Sequence, residues 1–397
     1  MSHLISTKVE GLAGRKRPVE IVFDRHTNVI FGVNGSGKTS LLKILHSAMS
    51  GDATILENVP FTDASVQIYS KKYDRVFTRT INISEYAKSQ EEITPSLPGQ
   101  LEMGTQYYNF LTMTVTQGRG GPRWKQTPAE EKKTETELTS WAHRYLPTAR
   151  LHISDEPFLG LSPTQLQRTL TEDMLDKFFA DSVQKLWMRY SSRVVRDVRD
   201  AQARGLASIL RAVLSSARRP RRAPALDMAK AYESVKNFLQ RQGSPRLLGD
   251  PTEFQKRYRE DPSLRSIVQD IYQVEQDIDC AMASRLQLQQ LIEHLYSGSK
   301  HVAFGDDQIQ VTTGDGKQIG LTSLSSGEKH LMRILVEALL ADEDAILVDE
   351  PELSMHIDWQ RDLISNLRLL NHSAQFVLAT HSPEVMADIP DANIFSL

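Results

Sequence analysis

The stretch Gly32-Val33-Asn34-Gly35-Ser36-Gly37-Lys38-Thr39 constrains the fold more than any other part of the chain. Its three glycines allow backbone conformations that other residues resist, so consecutive N–H groups can curl around phosphate oxygens. Asn28 to Phe31 reads as a short β-strand before it, and Thr39 to Met49 carries helical spacing through Leu41, Leu42 and Leu45. A Gly-rich turn between a strand and a helix aims the positive end of that helix at an anion. Asn34, Gly35, Ser36, Gly37, Lys38, Thr39 and Ser40 are therefore the expected phosphate ligands of a nucleotide. Lys38 neutralises the β- and γ-phosphates, and the Thr39 hydroxyl takes a place on Mg²⁺.

Three further motifs sit at strand ends or helix starts. Ala345 to Val348 is an apolar strand leading into Asp349 and Glu350. In a parallel sheet such carboxylates lie at the carboxyl edge where ligands bind, Asp349 serving the metal and Glu350 acting as general base for water. His381 follows the apolar run Phe376 to Thr380 and is placed to donate to a γ-phosphate. Leu324-Ser325-Ser326-Gly327-Glu328 opens a helix running to Leu340. Ser325 and Gly327 read either as a second phosphate-facing helix start, serving nucleotide on a neighbouring subunit, or as a plain helix cap.

The rest of the chain reads as an α/β domain interrupted by helices. Residues 64–82 have the pattern of a hairpin with Lys72-Tyr73-Asp74 at its tip, and 108–116 reads as a strand. Ser263 to Tyr296 has neither Gly nor Pro and repeats apolar residues at three and four. A helix is also expected over Asp358 to Leu370. The expected division is 1–160 and 303–397 as two halves of a head, with 161–302 an inserted helical arm.

The net charge of -3 hides a segregation. Eleven Lys/Arg face three Asp between Asp181 and Ala225, whereas two Arg face nine Asp/Glu between Leu331 and Asp362. Arg189, Arg193, Arg196 and Arg204 recur along one helical face, suited to DNA or RNA phosphates, to an acidic protein partner or to solvent. A single cysteine, Cys280, excludes an internal disulfide. No apolar run reaches membrane-spanning length and the N-terminus lacks a secretory pattern, so a cytoplasmic protein with no membrane contact is expected.

Together the motifs resemble ABC-type ATPases, specifically their SMC-, RecF- and OLD-like branch. The fold this implies is α/β: a P-loop ATPase head with an antiparallel β-subdomain and an inserted, short coiled-coil-like helical arm. The resemblance also implies ATP and Mg²⁺ as cofactors and homo-oligomers whose heads sandwich ATP, Ser325 and Gly327 touching the partner's nucleotide. Glu350 becomes the base, His381 the switch residue, and Gln117 a magnesium-sensing ligand beside Thr39 and Asp349. Nearly 290 residues separate Lys38 from Leu324, a longer interval than transporter ATPases show. Asp349-Glu350-Pro351-Glu352 and Tyr145-Leu146-Pro147-Thr148 resemble segments of anti-phage ATPases, including OLD nucleases and the ATPases of the Septu and PARIS systems. Only 17 residues follow Thr380, too few for a Toprim domain. The expectation is a sensor ATPase controlling a separately encoded Toprim-like or HNH nuclease, with a phage protein as trigger. The competing expectation is a RecF/SMC-like DNA-repair clamp.

Overall fold

The computed structural model describes residues 2–83, 123–128, 140–148, 171–214, 226–241, 243–296 and 300–397. They form two compact units, Met1–Val183 with Gly320–Leu397, and Gln184–Ile319. Gln117, the strand expected at 108–116 and the basic run 218–222 lie outside the described residues.

The first unit contains β1 (Ser2–Glu10), β2 (Val19–Val22), β3 (Thr27–Phe31), α1 (Lys38–Ser50), β4 (Asp63–Ser70), β5 (Arg75–Asn82), β6 (Lys125–Thr127) and β7 (His143–Leu146). The helix α2 (Glu172–Leu214) begins in it. The second unit holds α3 (Met228–Arg241), α4 (Pro251–Glu260), α5 (Pro262–Leu295), β8 (Lys300–Phe304), β9 (Ile309–Thr313) and β10 (Gln318–Ile319). The chain then returns to the first unit through α6 (Ser326–Leu340), β11 (Ala345–Asp349), α7 (Ile357–Arg361), α8 (Leu363–Leu370), β12 (Gln375–Thr380) and β13 (Ile394–Ser396).

Two sheets organise the head. One is antiparallel in the order β2-β1-β4-β5-β6, the other parallel in the order β13-β3-β12-β11-β7. In β4, Ala64, Val66, Ile68 and Ser70 are buried and alternate with more exposed residues, as a sheet with one covered face requires. In β11 and β12 every residue is buried, because both faces of the parallel sheet are covered. Leu41, Leu42, Ile44 and Leu45 of α1 share one core with Ile68 of the antiparallel sheet and Leu347 and Val377 of the parallel one.

The expected hairpin is β4–β5, paired through Tyr69 and Val76. The expected helix over Asp358 to Leu370 is two, α7 and α8, broken at Asp362. Within the second unit, α2 and α5 approach closely at Gly205, where an added Cβ would lie 2.1 Å from Val274 Cγ2. Trp187 is fully buried there and its indole N–H donates to Gly305 O at 2.7 Å. Both ends of the helical unit fall later than residues 161 and 302. The hairpin that begins at β8 belongs to it, held by Gln289, which donates to Val302 O at 2.7 Å and accepts from Phe304 N at 3.0 Å. Among the described residues no helix is long and apolar enough to cross a membrane.

Candidate nucleotide site

Parallel pairing sets Phe31 opposite Thr380, Asp349 opposite Ala379 and Val348 opposite Leu146. The carboxyl ends of β3, β12, β11 and β7 therefore line one edge, and each delivers a functional group there. The loop after β3 turns through Gly35 and Gly37, both at positive φ (83° and 102°), before α1 begins at Lys38. A side chain at either position would be strained, which explains why the turn requires glycine.

A cleft of about 520 Å³ opens on this edge, and its lining includes Asn34, Lys38, Thr39, Thr148, Glu350 and His381. Lys38 is buried; its Nζ donates to Gly32 O at 2.8 Å and pairs with Glu350 Oε1 at 3.1 Å. The second Glu350 oxygen bonds His381 Nδ1. Glu350 itself is held at φ 51°, outside the usual range for a side-chain-bearing residue, and its N–H donates to Ala379 O at 2.8 Å. Burial pushes the Glu350 carboxyl upward, but bonds from His381 and Lys38 outweigh it and hold the group below its ordinary value. In its carboxylate form the group can accept a proton from water.

Asp349 is 1% exposed. Its Oδ2 accepts from Thr39 Oγ1 and from Thr148 Oγ1, both at 2.8 Å, while Oδ1 is buried with no hydrogen-bond partner. Burial raises the Asp349 carboxyl above its ordinary value, against the pull of the two threonines. A buried carboxylate with one orphaned oxygen beside two hydroxyls is a donor set of hard oxygens, which fits Mg²⁺. Thr39 and Asp349 are the residues that would hold it.

The remaining expected site residues fall elsewhere. Gly327 and Ser325 do not line the cleft. Ser325 is the N-cap of α6 and forms a reciprocal capping box with Glu328, accepting from Glu328 N at 3.3 Å while Glu328 Oε2 accepts from Ser325 N at 2.6 Å. The cap is therefore real, and it leaves Ser325 and Ser326 exposed. Gly327 is buried against Ser354, whose carbonyl oxygen would lie 2.2 Å from an added Cβ. Arg189, Arg196 and Arg204 are exposed on α2, and Arg193 is half-buried with its guanidinium 5.9 Å from the Tyr190 ring centroid. Arg204 lies 4.0 Å from Asp277.

Sequence reading assigned no chemical role to Thr148 or Glu352. Thr148 reaches Asp349 across 201 residues of sequence, because β7 joins the edge of the parallel sheet beside β11. Its only local signal is a short run ending in Pro147. Glu352 is buried and bonds the segment that carries His381.

Fold and site together define a P-loop ATPase head of the ABC type, with an antiparallel β-subdomain and long inserted helices. Residues 189–387 match the family described as "AAA domain, putative AbiEii toxin, Type IV TA system", and residues 9–146 match a second family described as "AAA domain". The first match takes in half of the chain, and the chain belongs to that family. Among curated proteins, "Retron Vc95 probable ATPase" of Vibrio cholerae serotype O1 biovar El Tor is 29% identical over 93 residues, covering 20% of this chain and 18% of that protein. "Retron Ec83 probable ATPase" of Escherichia coli is 28% identical over 92 residues, covering 20% and 17%. The chain thus matches less than a fifth of either relative's length. Among solved structures, an Smc head domain with an extended coiled coil bound to the C-terminal domain of ScpA, from Pyrococcus furiosus, aligns with TM-score 0.43 and 12% identity over 100% of this chain and 93% of that one. The SMC head domain from Thermotoga maritima aligns with TM-score 0.38 and 11% identity, over 97% and 91%.

Proposed function

We propose that the protein is an ATP-hydrolysing sensor subunit of a two-component anti-phage defence system, pairing heads through ATP and controlling a separately encoded nuclease of Toprim-like or HNH type. The observation that carries the ATPase reading is the meeting of Lys38, Thr39, Asp349, Glu350 and His381 at one sheet edge. Lys38 meets the phosphates, Glu350 takes the proton of the attacking water, and His381 donates to the γ-phosphate. Bound Mg²⁺ would supply charge neutralisation across the β- and γ-phosphates. The retron ATPases to which the chain is similar support the defence setting.

Pairing of heads draws support from Ser325 and Ser326, which are exposed at the start of α6 and away from the chain's own cleft. A separate effector is consistent with the titratable groups. Among the described residues, the cluster of three His, Cys, Asp or Glu with ligand atoms close enough to share a metal is Glu350, Glu352 and His381, which lies at the ATP cleft itself.

The test is direct. Purified protein should hydrolyse ATP with Mg²⁺, and Lys38→Ala should weaken nucleotide binding by about a hundredfold, roughly 2.7 kcal/mol. Unchanged affinity in that variant would remove the cleft as the nucleotide site. Co-expression with the neighbouring gene should protect cells from phage where either gene alone does not; protection by this chain alone would overturn the two-component reading.

A further inference from the structure

Glu352 is 5% exposed, and one of its oxygens is crowded with donors. Oε1 accepts from Thr380 Oγ1 at 2.5 Å, from His381 N at 2.8 Å and from Ser382 N at 3.2 Å, and the His381 Nδ1 atom lies 3.1 Å away. These donors belong to the last residue of β12 and the two residues that follow it. The same turn is tied a second time, since Ser382 Oγ donates to Gln360 Oε1 at 2.8 Å and Gln360 Nε2 donates to Met355 O at 3.0 Å. The other carboxylate oxygen, Oε2, is buried without a partner.

A buried carboxylate with one over-subscribed and one orphaned oxygen is costly for stability alone, so its placement calls for a reason beyond packing. The reason lies in what the three donors carry. The backbone on either side of the His381 Cα is pinned to one point, and the imidazole is thereby left against Glu350. The His381 peptide N–H is held by Glu352 Oε1 alone among the described residues, and the ring is itself half-exposed.

We propose that Glu352 is the positioning residue of the switch: its Oε1 gathers Thr380, His381 and Ser382 so that the His381 ring stands beside Glu350 before nucleotide arrives. Glu352 does not touch the reacting atoms. Its action is through His381, in the manner of outer-shell groups that hold a catalytic side chain within a fraction of an ångström. The inference rests on the reading of the cleft as an ATPase site, and its test separates the two.

Three variants discriminate. Glu352→Ala removes the acceptor. Glu352→Gln keeps one oxygen for the same three donors and removes the charge. Thr380→Val removes one donor only and guards against a Glu352→Ala protein that fails to fold. Each is measured in full-length protein in two ways: kcat and KM for ATP, and the imidazole resonance of His381 in nucleotide-free, ¹³C-histidine-labelled protein, assigned by its loss in His381→Gln.

The expected result is a fall in kcat of about tenfold to a hundredfold for Glu352→Ala, with KM within about threefold, as misplacement of a reacting group predicts. Thr380→Val should show a smaller fall of the same kind. Both should shift the His381 resonance, and Glu352→Gln should return kcat and resonance close to those of the native chain. The proposal is overturned if the resonance is unmoved in Thr380→Val and in folded Glu352→Ala, or if Glu352→Gln is as damaged as Glu352→Ala. If the native chain proves unable to hydrolyse ATP while the resonance moves as described, the ATPase reading fails and the positioning of His381 by Glu352 stands.

Discussion

In the head, β11 and β12 are buried at every position; β11 ends in Asp349 with Glu350 next, and β12 is followed directly by His381. In the unit of residues 184–319, Ala231, Val235, Phe254, Tyr258, Val268 and Ile271 form one apolar group and Ala201, Val274 and Ile278 another, while Trp187, Leu288, Ile292 and Phe304 are buried apart from both. The head buries Lys38, Asp349 and Glu352 at one sheet edge; the helical unit buries Glu275, 3.3 Å from Arg241, and keeps Arg189, Arg196 and Arg204 in solvent. Chemistry that depends on ångström placement needs the first kind of construction, because rigid strand ends cost no reorganisation when a ligand binds. Contacts with a partner tolerate the second. Changes in the head should therefore alter turnover, and changes on α2 should alter what the protein associates with.

The largest expected effect tests the head. Glu350→Gln should reduce ATP turnover by about a hundredfold or more, the range for loss of a general base. Because Glu350 pairs with Lys38 at 3.1 Å, it competes with phosphate for that ammonium, so the same variant should bind ATP more tightly than the native chain. Turnover within twofold of native, or weaker binding, would break this account of the site.

Next comes a pair of glycine substitutions, one in each unit. Gly327→Ala drives a methyl group to 2.2 Å from a backbone carbonyl, Ser354 O, which cannot swing aside. Gly205→Ala drives one to 2.1 Å from a valine methyl, which can change rotamer, and alanine also favours the helix. Overpacking costs about 1–3 kcal/mol, so Gly327→Ala should lie at the upper end and Gly205→Ala near the lower. Denaturant unfolding of both proteins gives the comparison, and a reversed order would mean that the helical unit is packed as rigidly as the head.

The strand ends and their carboxylates were legible in the sequence because each motif is contiguous: strand, glycines, Lys38 and Thr39 in one place, Asp349 and Glu350 in another. Thr148 was not, since its partner is 201 residues away and β7 is four residues long, too short for a period to declare itself. Glu352 appeared as a letter in a motif, but its role arises from where β12 ends, which only pairing in three dimensions reveals. The break at Asp362 was hidden for the opposite reason. Leu363, Ile364, Leu367 and Leu370 keep a helical spacing through the second half, so the apolar pattern carries no mark of the backbone change. Ser325 looked like two things at once, and the capping box shows that a cap and an exposed helix start coexist in the same residue.

A smaller effect concerns pH. Asp349 has its carboxyl raised by burial above the ordinary 3.8, so the folded state holds that proton more tightly than the unfolded chain. Stability then falls as pH rises from that ordinary value through the raised one, and the full cost of the buried charge is felt above it. With nucleotide absent and metal chelated, Asp349→Asn should melt at a higher temperature than the native chain at pH 8, the gap closing towards pH 4. A gap that widens as pH falls would contradict the burial argument.

The smallest effect on the head should come from the helical unit. Replacing Arg193, Arg196 and Arg204 together with Gln should leave ATP turnover and melting temperature nearly unchanged. If these residues meet duplex DNA, the dependence of log affinity on log salt should flatten by up to about 2.7, at 0.9 per phosphate contact. An unchanged slope assigns the stripe to protein contact or to solvent.

The order β13-β3-β12-β11-β7 also bears on how the protein is made. β3 finds its neighbour β12 only across a separation of 348 residues, and the P-loop follows β3 directly. At about 5–20 residues per second, a ribosome needs roughly 20 to 70 s to deliver that neighbour. Throughout that interval the apolar residues Val29 and Ile30, destined for the middle of a sheet, have no strand beside them. The phosphate loop is thus translated early and its strand neighbours late, so that a nascent chain stopped before β12 carries the motif without the strand end that sets His381 beside Glu350.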